Sequence, residues 1–118
     1  EELRRAIEAS GSTRVVESAG QAQAVLEALE DGRDKTVAAQ TSAGQVREFT
    51  LRTRLRFRLR TPAGRVLIRD TALLLSRDMS YNETDALAKA EEEAMLYRAM
   101  QSDIVDQVMR RLAAVPAP

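Results

Sequence analysis

The chain has 118 residues, enough for one domain of ordinary size that buries roughly two thirds of the surface its unfolded form exposes. Eighteen basic and eighteen acidic residues cancel, so the overall field that non-specific DNA binding needs is absent. Cysteine and histidine are both missing, which removes disulfides, thiolate chemistry, the usual zinc ligands and the commonest general base; two Phe and two Tyr are too few for a base-stacking platform.

From the start, Leu3, Ala6 and Ile7 recur at helical spacing through Ser10, with Gly11 in place to end the helix. Glu1 rather than methionine opens the chain, as expected of a piece cut from a longer precursor. Thr13 to Glu17 reads as a short strand around Val15 and Val16, broken by Ser18-Ala19-Gly20. Between Ala24 and Ser42 a helix and a strand both fit Val25, Leu26 and Leu29. A strand interrupted near Asp31-Gly32 and resuming from Lys35 to Thr41 is the preferred reading, because Asp-Gly marks a turn or bulge and the next strand needs a neighbour.

That next strand is Val46 to Arg60, VREFTLRTRLRFRLR. Phe49, Leu51, Thr53, Leu55, Phe57 and Leu59 share one parity, and Arg52, Arg54, Arg56, Arg58 and Arg60 share the other. Alternate side chains of a strand face opposite ways, so one dry face and one ladder of guanidinium groups are expected. The ladder spans about 27 Å at about 3.4 Å per residue. Like charges in such a row repel, so carboxylates of the same domain or an outside anion should answer them.

Ser42-Ala43-Gly44 and Thr61-Pro62-Ala63-Gly64 read as the turns that bound this strand. A hairpin with Arg60 opposite Arg65 sets Leu59 against Val66, Phe57 against Ile68 and Leu51 against Leu74. It also puts Asp70 on the dry face, unless a bulge turns it outward. Ser80 and Glu83 stand in the capping-box relation, and Leu87, Ala90, Ala94, Tyr97, Ile104, Val105, Val108 and Leu112 continue at helical spacing to Ala114. That helix is about 45 Å long at about 1.5 Å per residue. The expected fold is α+β: a mainly antiparallel sheet with two helices packed on one face, residues 1–118 forming one domain.

The arginine ladder suits either a solvated face with loose surface ion pairs or a face that meets carboxylates or phosphates of a partner. An RNA-binding sheet with arginines in place of aromatics is the alternative class, against which the charge balance and the four aromatics speak. Glu91-Glu92-Glu93 fans around its helix instead of converging, so neither a metal site nor acid/base catalysis is expected there. Met95, Met100 and Met109 read as gap-filling apolar residues. No nucleotide-binding motif and no nucleophile elbow occurs, and no enzyme activity or cofactor is expected.

The order of Leu3-Arg4, Gly44 with Glu48-Phe49 and Leu51, Phe57-Arg58-Leu59, Arg77-Asp78 with Tyr81, Leu87-Ala88-Lys89 with Glu92, Met100 with Asp103, and Gln107 with Arg110-Arg111-Leu112 resembles the LptE family. These are the lipopolysaccharide-assembly lipoproteins of the Gram-negative outer membrane. The resemblance implies a lipid-anchored protein on the periplasmic side of that membrane, seated as a plug in the LptD β-barrel. It also implies assistance to LptD assembly and binding of lipopolysaccharide. The family's lipidated cysteine and early strand lie before the point where this chain starts, so a soluble, truncated form is expected. Within the resemblance, Lys89 matches a lipopolysaccharide-contacting lysine. A second basic contact falls near Ser42, where Arg47 or Arg65 could replace it; the ladder Arg52, Arg54, Arg56, Arg58 and Arg60 is the candidate for the barrel or the lipid.

Overall fold

The computed structural model describes residues 2–9 and 23–115. Helix α1 (Glu2–Ala9) is followed by strands β1 (Val25–Gln40), β2 (Val46–Arg60) and β3 (Val66–Ser80) and by the long helix α2 (Ala86–Ala113). The strands form an antiparallel meander in the order β1-β2-β3, and both helices cover the same face. This is the α+β fold expected from the sequence, drawn out to 58 × 24 × 23 Å. The expected strand from Thr13 to Glu17 lies outside the described residues.

Both hairpin turns are built alike. Gly44 and Gly64 take positive φ values of 84° and 101°, a backbone region that costs other residues a clash at Cβ. The hydroxyls of Thr41 and Thr61 accept from the backbone N–H groups of Gln45 and Arg65 at 3.1 and 3.0 Å, which closes each loop from inside.

The dry face follows the parity of β2. Leu51, Phe57 and Leu59 are buried, together with Leu73 and Met79 of β3. Tyr97, Met100, Ile104 and Val108 of α2, three or four residues apart, complete the core together with Val105. It consists of two clusters, one around Phe57, Leu73, Ile104 and Val108 that also takes in Leu3, the other around Leu51, Tyr97 and Met100. Fully burying side chains of this size contributes about 1.5–3 kcal/mol each, so the long helix is held by packing more than by its own propensity.

Three local expectations are corrected. β1 runs unbroken through Asp31-Gly32, and its bulges fall instead at Leu29 and around Ala38. On the other side of β2, Leu59 lies opposite Ile68, Phe57 opposite Thr71 and Leu51 opposite Arg77. The turn sets Arg60 opposite Val66, one residue beyond the simple hairpin, and bulges in β3 near Leu67 and at Arg69-Asp70 add one each; the second delivers Asp70 to the arginine face. Leu74 is thereby carried off the dry face and is 62% exposed. Finally, Ser80 ends β3 and caps nothing. The side chain of Asn82 accepts from the N–H of Thr84 at 2.9 Å to open a 3-10 turn (Glu83–Asp85), and α2 begins only at Ala86, leaving Leu87 78% exposed.

Candidate functional site

The arginine ladder occupies the sheet face that the helices leave open, and carboxylates of the same chain answer it. Glu27 accepts from the Nε of both Arg58 and Arg60 at 2.8 Å. Arg54 donates to Glu30 at 2.7 Å and to Asp34 at 2.8 Å, a second contact of Asp34 reaches Arg52 at 3.7 Å, and Arg56 pairs with Asp70 at 3.1 Å. The hydrogen bonds from Arg58 and then Arg60 hold the Glu27 carboxyl below its usual 4.5. By the same contacts, Glu30 first and then Asp34 raise the Arg54 guanidinium, and Glu27 raises that of Arg58.

A single extra residue makes this possible. Glu27 and Glu30 differ by three positions and would face opposite ways in a regular strand, but the bulge at Leu29 restores both to one side. Gly32 then lies between Glu30 and Asp34, opposite Arg54, whose guanidinium crosses over it. A Cβ at Gly32 would touch that group at 3.5 Å. The row of cations is neutralised side by side, and the free positive charge that RNA binding through this face would require is largely consumed.

Of the other expected contacts, Lys89 is partly buried at the start of α2, where its ammonium donates to the Ser80 hydroxyl at 3.0 Å and to Glu92 at 3.2 Å. Arg47 is exposed at the same end of the sheet. Its carbonyl accepts from the N–H of Tyr81 at 2.8 Å, beside the edge-to-face pair of Tyr81 and Phe49 at 5.2 Å. Arg65 closes the opposite turn, about 45 Å away along the strand direction. Lys89 and Arg47 are therefore brought to one end and Arg65 is not.

Reading the sequence missed Glu27, Glu30 and Asp34 of this face, because their spacing is not a strand's until the bulge is known, whereas the outward-turning bulge that Asp70 called for is present. A second cluster it missed ties α2 to β1: Arg33 stacks on the Tyr97 ring at 4.3 Å, and Lys35 bridges Glu93 at 2.8 Å while lying 4.6 Å from the Phe49 ring centre. Among the described residues, no group of His, Cys, Asp or Glu is arranged to hold a metal ion, and no helix is long and apolar enough to cross a membrane.

Fold and site together define an α+β module with a helix-covered face and an opposing face of paired charges. Residues 1–112 match the family described as "LptE: Lipopolysaccharide-assembly", and the chain belongs to that family. It is also similar to the uncharacterized lipoprotein B of Nitrosomonas europaea, with a TM-score of 0.85 and 33% identity over 96% of this chain and 73% of that one. The rare lipoprotein B of Shewanella oneidensis shares the fold at a TM-score of 0.76 and 21% identity, over 96% of this chain and 83% of that one. So does a minor lipoprotein of Acinetobacter baumannii at 0.73 and 17%, over 99% and 84%. Among curated proteins none matches.

Proposed function

We propose that this chain is a non-enzymatic component of lipopolysaccharide assembly that plugs the LptD β-barrel, assists its assembly and binds lipopolysaccharide. It would act on the periplasmic side of the outer membrane, anchored through a lipidated N-terminus as its relatives' description as lipoproteins suggests. The observation that carries this reading is the family match across residues 1–112, on a fold that leaves one whole sheet face uncovered.

On this reading the open face meets the polar lumen of the barrel. Arg52, Arg54, Arg56, Arg58 and Arg60 are held in extended, ordered positions by their carboxylates and can exchange those partners for groups of the barrel wall at small cost, since exposed ion pairs contribute under about 1 kcal/mol each. Lys89, with Arg47 at the same end, supplies the cations for a lipid phosphate; Ser80 and Glu92 hold the ammonium in place until an anion replaces them. Arg65 falls outside that phosphate site.

Co-expression with an LptD barrel and isolation of the complex is the test. The doubly charge-reversed R56E/R58E should keep its circular dichroism spectrum and lose co-purification, and full complex yield would return the ladder to plain surface. Lipopolysaccharide binding should fall in Lys89→Asp; unchanged binding would remove Lys89 from the site.

A further inference from the structure

The two ends of this elongated chain carry opposite unpaired charge. At the end formed by the Thr61–Arg65 turn, Arg65, Arg69, Arg110 and Arg111 are exposed, and their side chains have no ion-pair partner among the described residues. They belong together: Arg65 closes the turn and Arg69 sits in the adjoining bulge. Arg110 and Arg111 immediately precede Leu112, which packs on the same core cluster as Ile68. Around the opposite turn and the start of α2, Glu48, Glu83, Asp85 and Glu91 have no ion-pair partner among the described residues, against the single unpaired cation Arg47, so the balance there is acidic. The molecule is 58 Å long and charge is screened within about 8 Å at physiological salt, so each pole acts by itself although the net charge is zero.

The basic pole also has an apolar tip. Pro62 and Ala63 form the crest of its turn and are exposed, and Val66 beside them is 55% exposed. Arg110 and Arg111 are explained in part by the negative end of the α2 dipole, but Arg65 and Arg69 belong to no helix and gain nothing from it. Cations ringing a small apolar crest, with all four aromatics placed elsewhere, suit a lipid headgroup layer better than a nucleic acid, whose single strands are held by stacking. We propose that the Thr61–Arg65 end is a membrane-docking tip that binds the surface of a bilayer containing anionic phospholipids and so sets the long axis of the chain across that surface.

The test is sedimentation of the 118-residue chain with vesicles of phosphatidylcholine alone or with 30% phosphatidylglycerol, at low and high salt. Binding is expected only to the anionic vesicles and should fall steeply with salt. R65Q/R69Q should lower the partition coefficient by about ten-fold or more, since one arginine near an anionic leaflet changes it roughly five-fold. R77Q/R98Q removes the same charge away from the tip and should change it less than about two-fold. Equal losses in the two variants, absence of binding to anionic vesicles, or binding to neutral vesicles that salt leaves unchanged would each overturn the proposal. Arginine-dependent binding seen only with single-stranded RNA would also overturn it, and so would arginine-dependent binding seen only with purified lipopolysaccharide. Co-purification with LptD reads out the other face, so a failed docking tip leaves that proposal standing and the reverse also holds.

Discussion

The Tyr97 hydroxyl donates to the backbone carbonyl of Asp34 at 3.0 Å, and the carboxylate of the same Asp34 accepts from Arg54 on the other side of the sheet. One residue of β1 thus joins the helix-covered face to the ladder. The bond also fixes which part of α2 lies over β1, since Arg33 stacks on the same ring. Tyr97→Phe keeps the ring and the stacking and removes one partly buried hydrogen bond, so a loss of about 1 kcal/mol is expected in urea denaturation at neutral pH.

Burial keeps the Tyr97 phenol above its ordinary 10.0. A group raised in the folded state gives stability that is complete below its unfolded pKa and is lost as pH rises through the folded one. Alkaline titration of stability should therefore show a decline beginning above about pH 10 that is smaller in Tyr97→Phe. Identical declines in the two proteins would mean that the phenol is not desolvated.

Glu27 gives the opposite sign. Its carboxyl is held low by Arg58 and Arg60, so its contribution is present above the ordinary 4.5 and disappears as pH falls through the folded value. Glu27→Gln should be less stable than the parent at pH 7 and should lose less on acidification below about pH 4.5, read from thermal midpoints across that range. The pair lies at the surface with the Glu27 side chain partly exposed, so salt should weaken the difference.

How much of this was legible beforehand depends on where the period of two holds. The Val46–Arg60 strand obeys it almost without a break, the exceptions being Val46 and Arg47 at its start, and so its two faces, both turns and the long helix over its dry side could be read from the residues. β1 and β3 depart from it by one residue at Leu29 and at Arg69-Asp70, and a one-residue slip exchanges the faces. Nothing local in Ala28-Leu29-Glu30 marks a bulge, since no glycine or proline stands there. The partners of the arginines, which depend on those slips, therefore stayed out of reach. Asp31-Gly32 did carry such a mark, and there the strand continues, with Gly32 at no positive φ and paired opposite Arg54 in the regular register.

Gly32 offers a direct check of that account. Its φ is not positive, and an added methyl would meet Arg54 at ordinary contact distance, so Gly32→Ala should be neutral or stabilising by up to about 1 kcal/mol through the unfolded state. A turn at this point would give the reverse sign. Gly32→Ile, with more bulk on the same face, should displace Arg54 from Glu30 and Asp34 and lose the gain.

Leu73 and Leu74 separate the observed β3 register from the simple hairpin most sharply. Leu73 is buried against Phe57, Ile104 and Val108, so Leu73→Ala removes core volume and should cost about 2–5 kcal/mol. Leu74 lies opposite Arg54 on the open face, and Leu74→Ala should change stability by no more than about 0.5 kcal/mol. The register with Arg60 opposite Arg65 predicts the reverse, because it turns Leu74 toward Leu51 in the core. Denaturant midpoints of the two variants therefore decide whether the Arg69-Asp70 bulge exists in solution. The same bulge delivers Asp70 to Arg56, so a large loss in Leu74→Ala would also remove the Arg56–Asp70 pair from the charged face, leaving the β1 carboxylates in place.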